Sequence, residues 1–242
     1  MRPVRWRPGW REFFGADPYP VDLGLVEARD ATAAPLGRLL LRELGPGSQR
    51  VLDLGCGHGR HLPALAAAGH RPFGLDAAES AVRQARRCAP TSTVIVGDCC
   101  RSPFRAASFD AALSLYSSLA YDTGLLPPLR EAARVVREGG LLVVDTVNRP
   151  QRLDIGCERT RDGSALRASL SLRGRRRQCN VAFRPSAVEF FSLAVAVPAR
   201  DQLVAALGRT GWRVRAVFGD HDGSAHGRWS PRTVVVACRV GA

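Results

Sequence analysis

The stretch Val51-Leu52-Asp53-Leu54-Gly55-Cys56-Gly57-His58-Gly59-Arg60 decides the fold of this chain. An apolar strand pattern leads to glycines at every second position, and a helical pattern follows. Alternate glycines remove side chains where a strand turns sharply into a helix, so a ligand can lie against bare backbone. A dinucleotide-binding fingerprint, G-x-G-x-x-G, would place its third glycine at position 60, which is Arg60. The third glycine is Gly59 instead, so the pattern is D-x-G-x-G-x-G and that fingerprint is excluded.

Strand and helix signals alternate on both sides of this stretch. The predicted strands are 50–54, 71–75, 93–96, 109–115 and 141–147, and the predicted helices are 60–68, 79–88 and 125–136. This alternation predicts a parallel sheet with helices on both faces. Ligands of such sheets bind beyond the carboxyl ends of the strands.

The C-terminal part predicts a helix over 200–209 and strands over 212–218 and 233–240. The loop between these two strands is too short for a crossover helix, so the strands should pair antiparallel. The predicted fold is therefore α/β, with a seven-stranded, mostly parallel, doubly wound sheet and an antiparallel C-terminal strand.

Polar side chains directly follow three of the predicted parallel strands. Asp76 follows the second strand, where a carboxylate can accept hydrogen bonds from both ribose hydroxyls of an adenosyl group. Asp98 follows the third strand and can accept from an adenine amino group, and Tyr116 follows the fourth. Each aspartate alone could be a turn or helix-cap residue. Their common position at strand ends, beside a glycine loop, predicts an adenosyl-binding cleft.

The phrases VLDLGCGHGRH, FGLD, VGDCC and VVREGGLLVVDT occur in an order that resembles the class I S-adenosylmethionine-dependent methyltransferases of the small-molecule type. The resemblance covers about residues 50–148 and 198–240. It implies a Rossmann-like transferase with S-adenosyl-L-methionine as cofactor, and Asp53 beneath the glycine loop near the cofactor's ammonium group. The cofactor-binding residues that it implies are Asp53, Gly55, Cys56, Gly57, Gly59, Asp76, Ala77, Asp98, Cys99 and Leu115. A second phrase, YSSLAY, resembles amino-sugar N-methyltransferases.

Two residues are candidates for catalysis. His221, in a loop that follows a predicted sheet strand, is the candidate general base. Its alternative is a surface histidine in a polar turn. Tyr116 could orient the substrate or contact the methyl donor, and its alternative is a packed core side chain.

These features predict methyl transfer to N, O or C of a soluble small molecule, a specialised metabolite. One alternative is a non-methylating cyclase of the same fold that also binds S-adenosylmethionine. Another is a nucleic-acid methyltransferase, suggested by the net charge of +13. That class would need a motif such as N-P-P-Y after the fourth strand, where this chain has Tyr116-Ser117-Ser118-Leu119. The sequence therefore argues against a nucleic-acid partner.

Composition predicts a cytoplasmic protein without a membrane partner. No apolar run is long enough to span a bilayer, and residues 1–10 lack the apolar core of a secretory signal. The seven cysteines form no C-x-x-C pair and no metal-ligand spacing, so we expect free thiols and no metal. A monomer or a homodimer is expected.

At 242 residues, a single domain (1–242) is predicted. Residues 1–48 should form an N-terminal helical cap, in which Pro35 divides a helical pattern over 22–44 into two short helices. Residues 151–197 should form a β-rich insertion over the substrate site, with a hairpin that turns at 173–175. The aromatic residues of 10–20 could close the other side of that site or pack in the core.

Overall fold

The computed structural model describes residues 5–8, 27–116, 118–120, 124–148, 154–159, 165–173, 176–183, 189–196 and 198–241. Side chains are described within 34–116, 118–119, 124–148 and 198–241. In chain order the elements are β1 (Arg5–Pro8), α1 (Glu27–Leu44), β2 (Arg50–Leu54), α2 (Leu62–Ala67), β3 (Arg71–Asp76), α3 (Glu79–Cys88), β4 (Thr93–Val96), β5 (Phe109–Ser114), a 3₁₀ turn (Ser118–Ala120), α4 (Leu126–Val135), β6 (Val136–Val147), β7 (Asp154–Arg159), β8 (Ala165–Arg173), β9 (Arg176–Phe183), β10 (Glu189–Ala196), α5 (Arg200–Gly208), β11 (Trp212–Phe218) and β12 (Arg232–Arg239).

The main sheet has seven strands in the order β11-β12-β6-β5-β2-β3-β4. The five strands from β6 to β4 pair in parallel, whereas β12 pairs antiparallel with both β6 and β11. The chain enters the sheet at its middle and fills first one half and then the other. This arrangement places the carboxyl ends of the parallel strands on one edge, and it confirms the predicted fold class.

Helices cover both faces of the sheet. On one face, α1 packs Leu36 and Leu40 against Val51, Leu113 and Val143. On the other face, α4 and α5 pack against β2, β6 and β12 around residues such as Leu129, Leu203 and Trp212. The two apolar layers hold the sheet rigidly, so the loops at its carboxyl edge are anchored at their bases.

The prediction of two helices over 22–44 is wrong, because α1 continues through Pro35. A proline inside a helix costs about 3 kcal/mol. Four leucines on this helix are at most 4% exposed, namely Leu36, Leu39, Leu40 and Leu44. Burial of each contributes roughly 1.5–3 kcal/mol, which outweighs the cost of the proline.

A second sheet has the strand order β1-β10-β9-β8-β7. The pairing of β8 with β9 runs to Arg173 opposite Arg176, which agrees with the predicted hairpin. Strand β1 lies inside the segment predicted as a helical cap and pairs in parallel with β10, so that segment is not purely helical. The aromatic residues of 10–20 lie outside the described residues, and the placement of 151–197 over a substrate remains a prediction.

Among the described residues, no helix combines the length and the apolar character that crossing a membrane requires.

Candidate functional site

The glycine loop lies between the carboxyl ends of β2 and β3. Gly55, Gly57 and Gly59 all have positive φ, at 75°, 53° and 79°. A Cβ on Gly55 would lie 2.6 Å from the Cβ of Ser118, so a side chain there would clash as well as strain the backbone. The Gly55 amide donates to the Leu75 carbonyl at 2.8 Å. Glycine is therefore required both by the backbone conformation and by the close approach of the 3₁₀ turn.

Asp76 connects the glycine loop to the second strand end. Its Oδ2 accepts from the Gly57 amide at 2.8 Å and its Oδ1 from the Ala78 amide at 2.9 Å. Burial raises the pKa of the Asp76 carboxyl, and these backbone donors lower it. Each carboxylate oxygen retains a lone pair after these bonds, so Asp76 can still accept hydrogen bonds from a ligand. Ala77, the next residue, is partly exposed beside it.

Asp98 and Cys99 lie at the adjacent strand end. The Gly97 amide donates to the Asp76 carbonyl at 2.9 Å, which fixes this turn against β3. Burial, together with the nearby Cys100, Asp98 and Asp76, raises the pKa of the Cys99 thiol to about 12. Asp98, Cys99 and Cys100 offer three donor atoms within 4.8 Å of one another. A thiol that stays protonated is a poor metal ligand but suits contact with an apolar ring.

Asp53 lies beneath the glycine loop, at the end of β2. The residue is 2% exposed, and its Oδ1 has no hydrogen-bond partner among the described side chains and backbone groups. Burial and the nearby Asp76 raise the pKa of the Asp53 carboxyl to about 7, against the lowering effect of Arg60. A buried carboxylate without a partner is stabilised by a cation. The site thus fits a ligand that brings positive charge to the glycine loop, as the ammonium and sulfonium groups of S-adenosylmethionine do.

Two other predicted residues are buried. Cys56 is 7% exposed, and its amide donates to the Leu75 carbonyl at 3.1 Å. Burial raises the pKa of its thiol well above the usual value, so it stays protonated. Leu115 is 3% exposed and its side chain packs in the core with Leu113 and Val143. The structure therefore directs the Leu115 side chain to the core and leaves only its backbone at the strand end.

A buried ionic cluster lies at the ends of β5, β6 and β12. Asp145 is fully buried; its Oδ1 accepts from Arg232 Nε at 2.7 Å and its Oδ2 from Arg232 Nη2 at 2.6 Å. The same Oδ2 lies 3.1 Å from His221 Nε2 and accepts from the Tyr116 amide at 2.9 Å. Burial would raise the pKa of the Asp145 carboxyl, but Arg232 and His221 lower it to about 2. Asp145 is therefore an anion at every physiological pH.

Both predicted catalytic residues belong to this cluster. His221 is 4% exposed, so it is not the surface histidine of the alternative interpretation. Tyr116 has φ of +53°, which is strained for a tyrosine, and its bond to Asp145 helps to hold this conformation. The rings of His221 and Tyr116 meet edge to face, with a centroid distance of 5.4 Å.

Tyr116 also contacts residues from the glycine loop. The ring of His61 stacks on it at 5.9 Å, with an interplanar angle of 14°. The Arg60 guanidinium carbon lies 4.8 Å from the centre of the same ring. Tyr116 therefore connects the glycine loop directly to the buried ionic cluster.

Sequence reasoning missed three residues of this arrangement, Asp145, Arg232 and His61. Asp145 had a readable signal, because an acidic residue in an otherwise apolar buried strand needs a partner. Arg232 had no such signal, because nothing in the sequence distinguishes it from the many other arginines of this chain. His61 follows the glycine loop directly, but only the structure shows that its ring turns inward.

A parallel sheet of this strand order, with one antiparallel strand and a glycine loop flanked by acidic strand ends, defines the class I methyltransferase fold. Residues 51–140 match the family model described as a methyltransferase domain. Residues 51–140 therefore carry a methyltransferase domain, and the fold is that of the class I S-adenosylmethionine-dependent methyltransferases. This match agrees with the family and the cofactor predicted from the sequence.

A curated relative matches nearly half of the chain. Malonyl-[acyl-carrier protein] O-methyltransferase of Erwinia pyrifoliae is 36% identical over 114 residues, which are 46% of this chain and 42% of the relative. The chain thus matches less than half the length of the curated relatives.

Solved structures resemble nearly the whole chain. An S-adenosylmethionine-dependent methyltransferase of Clostridium acetobutylicum has a TM-score of 0.75 at 12% identity, covering 91% of this chain and 97% of that one. CalS10 of Micromonospora echinaspora, an amino pentose methyltransferase solved with bound S-adenosylmethionine, has a TM-score of 0.66 at 21% identity, covering 89% and 97%. At these identities the likeness establishes the fold.

Proposed function

We propose that this protein transfers a methyl group from S-adenosylmethionine to an amino or hydroxyl group of a small metabolite, with an amino sugar as the first class to test. The observation that carries this proposal is the buried contact of Asp145 with His221 and Arg232 beside the glycine loop. The resemblance of YSSLAY to amino-sugar N-methyltransferases and the fold shared with an amino pentose methyltransferase support the acceptor class.

Cofactor binding is assigned to the carboxyl ends of β2, β3 and β4. The glycine loop admits the methionine and ribose part, Asp53 offers its unpartnered oxygen to the ammonium group, and Asp76 accepts from the ribose. Asp98 and Cys99 border the adenine. When bound, S-adenosylmethionine supplies an electrophilic methyl carbon on a sulfonium sulfur.

The chain contributes position and a proton acceptor to methyl transfer. Orientation alone can supply roughly 7–11 kcal/mol of the barrier reduction. His221 has Nε2 turned toward Asp145, which leaves Nδ1 to take the proton that the amino or hydroxyl group loses. Arg232 keeps Asp145 ionised, and Asp145 fixes the orientation of the imidazole, as a carboxylate does in other acid–base pairs. This assistance matters more for a hydroxyl, whose pKa lies far above neutrality, than for an amine.

The proposal is tested by S-adenosylhomocysteine formation with three probes, glucosamine, UDP-glucosamine and methyl glucoside. We expect turnover with an amine-bearing probe, and methylated product in equal amount to S-adenosylhomocysteine, which separates methyl transfer from a cyclase reaction. His221→Asn should lower kcat about 10²–10⁴-fold for a hydroxyl acceptor and less for an amine. His226→Asn is the matched control, because His226 lies in the same loop but contacts Thr233. Cofactor binding without turnover of any probe would overturn the acceptor class.

A further inference from the structure

His61 contains a buried polar atom that the steps above do not use. Its side chain follows the glycine loop at the start of α2 and is 5% exposed. Its Nε2 has no hydrogen-bond partner among the described residues. Leaving a buried nitrogen unpaired costs folding free energy, so its retention in a well-packed region needs a reason.

The surroundings of His61 are those of the proposed reaction centre. Its ring stacks on Tyr116, whose other contacts include the ring of His221 and the guanidinium of Arg232 at 5.5 Å. His221 and Asp145 lie close enough to influence His61 electrostatically. The unpartnered nitrogen therefore lies in the same cluster as the candidate base, on the side of the glycine loop.

The chemistry of this imidazole limits what it can do. Burial and the neighbouring Arg60 together lower the pKa of His61 to about 3. The ring is thus neutral at physiological pH and is too weak a base to remove a proton there. A neutral imidazole does carry one nitrogen lone pair, which can accept a hydrogen bond.

We propose that His61 is an acceptor-binding residue, whose Nε2 accepts a hydrogen bond from an N–H or O–H group of the molecule that is methylated. This inference rests on the proposed function and deepens it. It specifies an acceptor with a hydrogen-bond donor at or beside the methylated atom, as amino sugars and polyols have and an isolated carboxylate lacks. Positioning by His61 is complementary to proton removal by His221.

Two substitutions at one position separate binding from packing. His61→Phe retains the stack on Tyr116 and removes the nitrogen, whereas His61→Gln places an amide oxygen near the position of Nε2. We expect His61→Phe to raise the KM of the best amine or hydroxyl probe at least tenfold and to leave the affinity for S-adenosylhomocysteine within twofold. Its melting temperature should stay equal or rise, because an unpaired polar atom is removed. His61→Gln should recover part of the lost KM.

His70→Phe is the matched control. His70 is also 5% exposed, but it precedes β3 at the opposite edge of the sheet, and its Nδ1 accepts from the Gln49 amide. This variant should lower the melting temperature and leave the KM of the probe unchanged. Comparison of the two variants distinguishes a buried histidine that has a structural hydrogen-bond partner from one whose partner is the bound acceptor.

Four results would overturn the inference. An unchanged KM in His61→Phe would exclude contact with the acceptor. A loss of S-adenosylhomocysteine affinity as large as the rise in KM would assign His61 to cofactor binding instead. If His61→Phe fails to fold, the ¹⁵N chemical shifts of His61 in the wild-type complex with S-adenosylhomocysteine provide the test. Shifts that show a proton on Nε2 would overturn the inference, because a protonated nitrogen cannot accept a hydrogen bond. Wild-type protein that binds the cofactor but turns over no probe would refute the proposed function, and this inference with it.

Discussion

Replacing Asp53 by asparagine should make the protein without cofactor more stable, although the residue belongs to the cofactor site. The pKa of the Asp53 carboxyl is raised from 3.8 in the unfolded chain to about 7 in the fold, mainly by burial. The folded state therefore binds a proton more tightly than the unfolded state, so folding is opposed wherever Asp53 must ionise. The difference between the two pKa values corresponds to about 4 kcal/mol at pH 8 and to less than about 1 kcal/mol near pH 4.

Urea unfolding of the protein without cofactor at pH 4, 6 and 8 measures this difference. Asp53→Asn should unfold with a free energy about 4 kcal/mol higher than the wild type at pH 8, and the gain should shrink as the pH falls toward 4. Asp110→Asn is a control of opposite sign. Asp110 accepts from Arg137 and from the Arg50 amide, and these contacts lower its pKa, so its loss should destabilise the fold at pH 8.

A gain for Asp53→Asn below about 1 kcal/mol at pH 8, or a gain that does not change with pH, would refute the reasoning. Such a result would mean that the Asp53 carboxylate is solvated or paired in the folded state. The same variant should bind S-adenosylhomocysteine more weakly, because the ammonium group loses its counter-charge. Gain of stability with loss of binding is the expected pattern for a strained functional group.

Three further predictions concern the same site. The affinity for S-adenosylhomocysteine should rise between pH 6 and 8, because a cation favours ionised Asp53, whereas 5′-methylthioadenosine, which lacks the ammonium group, should show no such rise by calorimetry. Asp76→Asn should weaken S-adenosylhomocysteine binding about 10–100-fold, because its amide nitrogen faces the amide of Gly57 or Ala78; unchanged affinity would remove the ribose role. Arg232→Gln should destabilise the fold by about 3–5 kcal/mol by leaving Asp145 without its guanidinium, as urea unfolding measures. That loss should be largest above pH 4 and shrink as the pH falls toward 2, and a loss independent of pH would contradict the assignment.

The pattern of strands and helices could be predicted from the sequence because it depends on local periodicity. Helix 79–88 and strands 50–54, 93–96 and 212–218 have the same bounds in the structure as in the prediction. The predicted strand 109–115 ends one residue earlier in the structure, and the predicted helix 60–68 begins two residues later. Such end residues depend on the adjoining turns. The continuous helix through Pro35 was not readable, because leucine burial against the sheet decided it.

The sequence by itself determined the order of the elements, the glycine loop and the acidic residues at the strand ends, because spacing along the chain specifies each of them. Only the tertiary structure decided which side chains meet. Asp145, His221 and Arg232 are far apart in the chain, and the pairing of β12 with β6 brings them together. Whether His61 faces solvent or Tyr116 depends on the packing of α2 beside the sheet, which no local pattern encodes.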